Sequence, residues 1–87
     1  MDLFIYVTGR LPCALDELED ALDQALGDLG EVSGSGTGQS GSNIDIWIKN
    51  DKEDVQKIIT IIKTTLRPFG LPASSKIVIG ESAFKIG

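Results

Sequence analysis

The clearest pattern along the chain is a period-two alternation of hydrophobic and polar positions that follows residue 43. Three isoleucines alternate there with charged and aromatic side chains: Ile44, Ile46 and Ile48 with Asp45, Trp47 and Lys49. This alternation predicts a strand with one buried face and one accessible face. β-Branched and aromatic runs at 3–8 and 76–79 indicate two further strands. The run at 3–8 is apolar on both faces, which is typical of a central strand.

The segment that precedes the isoleucine strand is rich in glycine and serine. Residues 31–38 predict a weak strand, because glycine lowers strand stability. Alternation along this strand places Val32 on one face together with three glycines: Gly34, Gly36 and Gly38. The stretch 39–43 is expected to close a hairpin between the two strands, with Gly41 available for a positive φ.

Helical spacing of apolar residues appears in two segments. Residues 13–26 place leucines on one side and acidic residues on the other, with Pro12 in the first turn and glycine after the last. A second amphipathic helix is predicted after a capping-box-like pair, Asn50 and Glu53, and Pro68 is expected to end it.

The predicted order of elements is β-α-β-β-α-β within a single domain, 1–87. This order predicts an α+β fold of the ferredoxin-like type, a split βαβ plait with a four-stranded antiparallel sheet of order 4-1-3-2 and both helices on one face. Residues 83–86 are left open between a short fifth strand and a segment folded against an edge. The core facing the helices is predicted to contain apolar residues from all six elements: Leu3, Ile5, Val7, Leu15, Leu18, Leu22, Val32, Ile44, Ile46, Ile48, Val55, Ile58, Ile59, Ile62, Leu66, Ile77 and Ile79.

Composition removes most enzyme chemistries. The 87 residues contain no histidine and one cysteine, so the chain has no Ser-His-Asp triad, no Cys-His pair and no zinc site of familiar composition. We therefore expect a non-enzymatic protein without a metal or a cofactor. Cys13 is interpreted as a small buried hydrophobe rather than an activated thiolate at a helix N-terminus. A start at Met1-Asp2, short apolar runs and no disulfide predict a cytoplasmic protein without a membrane span.

Charge narrows the class of partner. The net charge of −5 argues against nucleic acid and anionic membranes, which bind through lysine and arginine. Residues 1–31 hold eight acidic residues against Arg10 alone. Such a one-sign surface either keeps a small protein soluble or attracts a basic protein. The candidate contact residues on the first helix are its central acids: Asp16, Glu19, Asp20 and Asp23.

A second candidate surface follows from strand alternation. If the isoleucines face the helices, Trp47 and Asp45 face away, and Phe4 and Tyr6 take the same side of the adjacent first strand. Aromatic side chains at this position bind RNA in the RNA-recognition motif, but the basic residues of that motif are missing. We therefore expect this aromatic face of the sheet to form a protein interface. Three coverings remain open, namely the C-terminal segment that contains Phe84, a second copy of the chain, or a foreign protein.

The glycine run is the third candidate. It enters a strand and no Gly-Lys-Ser/Thr follows it, so it lacks the features of a phosphate-binding loop. It is interpreted as a thin edge strand that lets the first helix approach closely or as a flexible hairpin; the alternatives are a partner-binding loop and an anion site. The candidate loop residues are Gly34, Gly36, Thr37, Gly38, Gly41 and Asn43.

Taken together, several stretches resemble small bacterial proteins of α/β-plait type. They are an acidic helix ending Ala-Leu-Gly, the run Gly-Glu-Val-Ser-Gly-Ser-Gly-Thr-Gly, the strand Gly-Ser-Asn-Ile-Asp-Ile and a helix ending Leu-Arg-Pro-Phe-Gly-Leu-Pro. The resemblance covers most of the chain and implies a relation to immunity proteins, which bind a toxin and block it without chemistry. The leading hypothesis is thus a protein-binding module, of the immunity type, for a basic partner. The alternative is a regulatory plait domain that senses a small molecule or an anion through the glycine-rich hairpin.

Overall fold

A computed structural model describes residues 1–49, 54–72 and 74–86. The chain forms an α+β fold in which two helices pack on a five-stranded antiparallel sheet. The elements, in chain order, are β1 (Asp2–Thr8), α1 (Leu15–Leu26), β2 (Gly30–Gly38), β3 (Gly41–Ile48), α2 (Val55–Leu66), β4 (Lys76–Ile79) and β5 (Ser82–Lys85). Within the described ranges, no helix is long and apolar enough to cross a membrane.

The sheet has one strand more than predicted. Its order is β2-β3-β1-β4-β5, so the first four strands have the expected 4-1-3-2 arrangement and β5 is added outside β4. The four-stranded sheet is therefore wrong in strand number. Gly80 provides the reason, because its φ of +57° allows the chain to reverse and pair Val78 with Ala83. As a result, β1 is the central strand of five.

One face of the sheet and the inner sides of the two helices form the hydrophobic core. Its buried members are Leu3, Ile5, Val7, Leu18, Leu22, Leu26, Ile44, Ile46, Ile48, Ile58, Ile59, Ile62, Leu66, Ile77 and Ile86. Leu15, Val32, Val55 and Ile79, which were predicted to lie in the core, are half-buried at its rim. Ile86 joins the core because its backbone N–H donates to the carbonyl oxygen of Ser75 at 3.0 Å, which holds the chain end over the helices' side of the sheet.

The starts of the two helices differ in how they compare with the prediction. Helix α1 begins at Leu15 and not at Cys13, with Ala14 as an N-cap that makes no side-chain hydrogen bond, so Pro12 lies outside the first turn. The capping box predicted at Asn50 and Glu53 lies outside the described residues. Helix α2 begins at Val55, and its N-cap carboxylate, Asp54, accepts a hydrogen bond from Gln56 N at 3.0 Å.

The hairpin between β2 and β3 is tighter than predicted. Only Gln39 and Ser40 separate the two strands, instead of the expected stretch 39–43. Gly41 takes a positive φ of +149°, and a Cβ at this position would overlap the carbonyl oxygen of Val7 in β1. Glycine is therefore required here both for the backbone conformation and for the close approach of β3 to the central strand.

Candidate functional site

The helices leave one sheet face uncovered, which we call the open face. Its side chains follow from the strand pairing: Asp2, Phe4, Tyr6 and Thr8 on β1, Glu31 on β2, Asn43, Asp45 and Trp47 on β3, Lys76 and Val78 on β4, and Ala83 and Lys85 on β5. Tyr6 is 40% exposed and Trp47 is 43% exposed, and these are the large hydrophobic side chains that the described part of the chain exposes. As the alternation predicts, both point away from the helices.

The aromatic side chains do not form one continuous cluster. Phe4 is half-buried, and its ring centroid lies 6.4 Å from that of Tyr6, with the two planes tilted by 31°. Trp47 pairs with Asp2, whereas Tyr6 pairs with Asn43 further along the sheet. Trp47 is therefore a diagonal neighbour of Phe4 and is not beside Tyr6, which corrects the expected arrangement. The register of β1 and β3, which alternation alone does not determine, causes this separation.

The C-terminal segment does not cover the open face. Phe84 pairs with Ile77, a buried core residue, so its side chain lies on the helix side of the sheet. The residues of β5 that reach the open face are small or charged, namely Ala83 and Lys85. The first of the three coverings that were left open is thus excluded by the parity of β5.

The glycine strand faces the opposite way from the prediction. Ser33 has no partner on β3, and this bulge shifts the register so that Val32 lies opposite Ile46 but Gly34 lies opposite Asp45. Gly34 and Gly36 therefore belong to the open face and do not provide space for α1. A Cβ on Gly36 would lie 3.1 Å from the side-chain oxygen of Asn43.

Absent side chains on β2 leave room for a polar pair on the neighbouring strand. The amide nitrogen of Asn43 donates a hydrogen bond to Asp45 Oδ1 at 3.1 Å. A Cβ on Gly34 would lie 3.6 Å from the other carboxylate oxygen of Asp45. Gly34 and Gly36, two of the predicted loop candidates, therefore place backbone without side chains beside this pair. The whole run from Gly34 to Gly38 is strand rather than loop.

Two shallow grooves flank the tip of the β2–β3 hairpin. One, of about 410 Å³, lies on the helix side and is lined by Arg10, Thr37, Gly38 and their neighbours Gly9, Leu11, Gln39 and Ser42. The other, of about 440 Å³, lies on the open face and includes Tyr6, Gly41, Asn43 and Lys76. The candidate loop residues are therefore divided between two sides of the sheet, and each groove has a single charged side chain.

The acidic helix forms a surface separate from the open face. Asp16 and Asp20 are exposed on α1, and Glu19 is half-buried. The carboxylate of Asp23 accepts a hydrogen bond from Val32 N at 2.8 Å, so it satisfies a backbone donor at the edge strand β2. Of the predicted contact residues, Asp23 therefore has a structural use. The four acids of α1 and the four open-face candidates lie on opposite sides of the sheet.

The one cysteine of the sequence is Cys13. Cys13 is half-buried, and desolvation by burial, followed by the Glu17 carboxylate, raises the pKa of its thiol. Both causes disfavour the thiolate. The prediction that Cys13 is a buried hydrophobe is wrong in its burial, because Cys13 lies half-buried before the start of α1. Among the residues that the structure describes, no group of three or more potential metal ligands is found.

Four charged residues of the open face are not among the contact residues predicted from the sequence: Asp2, Glu31, Lys76 and Lys85. All four are exposed. Strand parity could have identified Lys76, since it alternates with the buried Ile77, but Lys85 required knowledge of the fifth strand.

Comparison with known proteins finds no matching family model and no match among the curated proteins or the solved structures.

Proposed function

We propose that this chain is a non-enzymatic protein-binding module whose contact surface is the open face. The scaffold is a ferredoxin-like plait in which β5 extends the sheet. The observation that carries the proposal is the position of the two exposed aromatic residues, Trp47 and Tyr6, on adjacent strands of the face that has no helix. Tryptophan and tyrosine are enriched at the centres of protein interfaces, where their truncation weakens binding most.

The charges around Trp47 favour a partner with basic side chains. On one side of the indole, across the strand pairing, is Asp2, and on the other is Glu31. Carboxylates beside an aromatic ring attract a lysine or arginine, which also gains a cation–π contact worth about 0.5–1 kcal/mol at an exposed site. Binding of a basic protein in this way fits the proposal that this chain is an immunity-type inhibitor, which covers its partner and carries out no reaction.

The proposal is tested by affinity capture from a bacterial lysate to which untagged chain is added. Tagged wild type should retain either the untagged chain or a basic protein, and retention should weaken at high salt because the contact involves exposed charges. Trp47→Ala should abolish this retention while preserving the thermal melt. Gln24→Ala, an exposed position on α1, is the matched control and should retain as much as wild type.

Two outcomes would count against the proposal. Equal retention by wild type and Trp47→Ala would mean that the open face is not the contact surface. If Trp47→Ala instead lost several kcal/mol of unfolding free energy, Trp47 would be a core residue.

The alternative function, sensing of a small molecule or an anion, is supported by the helix-side groove. There Arg10 lies at the same opening as Thr37 and Ser42, whose hydroxyl groups are 3.3 Å apart. Hydroxyl groups and a guanidinium group are donors suited to an anion. This support is weaker, because Gly34 and Gly36, the centre of the glycine run, line neither groove.

A further inference from the structure

Apart from Asp45, which pairs with Phe4 near the centre, the charged residues of the open face lie in two corners. The acidic corner contains Asp2 and Glu31, on either side of Trp47, on the first three strands of the sheet order. The lysine corner contains Lys76 on β4 and Lys85 on β5. The half-buried ring of Phe4, on the central strand, lies between them.

The two corners are diagonally opposite. Lys76 pairs with Tyr6, whereas the acidic corner is at the level of Asp2, four residues earlier on β1. The outer strands β2 and β5 are four strand spacings apart, or about 19 Å. The open face thus has a negative end and a positive end along one diagonal, with Phe4 and the half-buried Asp45 between them.

The lysine corner also contains an unfavourable contact within the isolated chain. Lys76 and Lys85 are direct cross-strand partners on the same face, and like charges in this position repel each other. Carboxylates from outside would neutralise them. The acidic corner of a second copy of this chain has the required charge and lies at the required distance from the centre of the face.

We infer that two copies of this chain pair through their open faces. Their two-fold axis lies between the two sheets and parallel to them. It passes over Phe4 along the diagonal perpendicular to the one that joins the acidic corner to the lysine corner. This inference rests on the proposed function, and it names a second copy as the partner of the same surface, with Lys76 and Lys85 of that copy in place of the basic side chains of a foreign protein. Rotation about that axis brings the acidic corner of each copy onto the lysine corner of the other, as an isologous interface requires. The two sheets then cross at nearly a right angle, one of the two common packings of facing sheets.

The arrangement assigns contacts to both lysines and to Glu31. Trp47 of one copy lies over Lys76 of the second copy, where a cation–π contact forms, and Glu31 approaches Lys85 of the second copy. Both acidic α1 surfaces remain on the outside of the pair. The flat area of the face is roughly 500 Å², which is below the roughly 800 Å² per partner of a standard interface. We therefore expect a dimer that dissociates on dilution and in high salt.

Light scattering over a series of protein concentrations tests the inference. Wild type should approach twice the 9.3 kDa of one chain at the highest concentration and return toward 9.3 kDa when diluted or when salt is added. Lys76→Glu/Lys85→Glu gives the face two acidic corners, and Asp2→Lys/Glu31→Lys gives it two basic corners. Each double variant alone should remain at the mass of one chain.

Mixing the two double variants supplies the decisive measurement. Each basic corner can then meet an acidic corner, so an equimolar mixture should recover the mass of two chains. The matched control is Lys57→Glu/Arg67→Glu, which changes the net charge by the same amount as the first variant but at exposed positions on the helix side. It should dimerise like wild type. All six changed positions are exposed, and circular dichroism checks that each variant is folded.

The outcomes separate this inference from the proposed function. A wild type that stays at 9.3 kDa at every concentration overturns the inference, whereas Trp47-dependent capture of a basic lysate protein would leave the proposed function standing. A wild-type dimer that persists in both double variants also overturns it, because that dimer would use another surface. If no Trp47-dependent capture and no dimer were observed, both would be wrong.

Discussion

Replacing Gly41 with alanine should destabilise the domain far more than the same change at Gly38, its partner across the hairpin. Gly41 has a φ of +149°, and an added Cβ would overlap Val7 O and lie 3.1 Å from the Cα of Thr8. Both obstacles are backbone atoms of β1, so no side-chain rotation removes them. At Gly38 no heavy atom beyond the adjacent residues of the chain lies within 4 Å of the added Cβ.

The size of the effect follows from two costs. A non-glycine residue held in such a sparsely populated backbone region costs about 1–3 kcal/mol. Relief of the overlap also separates β1 from β3 where Val7 pairs with Ser42, and each lost hydrogen bond there costs about 0.5–1.5 kcal/mol. We expect Gly41→Ala to lose about 3 kcal/mol from a total of about 4–13 kcal/mol for a chain of this length. Gly38→Ala should stay within about 0.5 kcal/mol of wild type.

Urea titration, followed by far-UV circular dichroism and by the fluorescence of Trp47, measures both variants. With a slope of about 1 kcal/mol per molar urea, the midpoint of Gly41→Ala should fall by about 3 M, whereas that of Gly38→Ala should not move. Equal midpoints for the two variants would refute the argument that close approach of β3 to β1 stabilises this end of the sheet.

Two further predictions concern the core and the grooves. Ile46→Asp should remove the cooperative thermal melt in circular dichroism, because it places an unpaired charge at a core position that is 1% exposed. The control, Ile46→Val, should lower the unfolding free energy by only about 1 kcal/mol. If the aspartate variant melted near the wild-type temperature, the assignment of the two faces of β3 would be reversed. Millimolar phosphate or ATP should leave the melting temperature unchanged, because only a ligand that binds the native state stabilises it and the helix-side groove is lined by a single arginine. A saturable rise in the melting temperature would favour the anion-sensing function.

Much of the fold could be predicted from local patterns. The alternation at Ile44, Ile46 and Ile48 identified the buried side of β3, and the same reasoning placed Trp47 on the exposed side. The apolar stripes of both helices were also predicted, although α1 begins at Leu15 and not at Cys13. These features depend on side-chain period, which the order of residues carries directly.

The strand order of the first four strands followed from the β-α-β-β-α-β succession, but the fifth strand did not. Four residues, Ser82–Lys85, are too few to distinguish a strand from an edge segment by pattern. Their pairing depends on the reversal at Gly80 and on the free edge of β4, which exists only once the sheet has formed.

The tertiary structure alone decided which residues share the candidate site. The bulge at Ser33 reversed the face on which Gly34 and Gly36 lie, because one extra residue changes the parity of every residue that follows it. The register of β1 with β3 separated Trp47 from Tyr6, and β5 brought Lys85 beside Lys76. Residue order determined which side chains are buried in each element, whereas the distribution of charge over the open face depends on hydrogen-bonded pairing between distant segments, which no local pattern encodes.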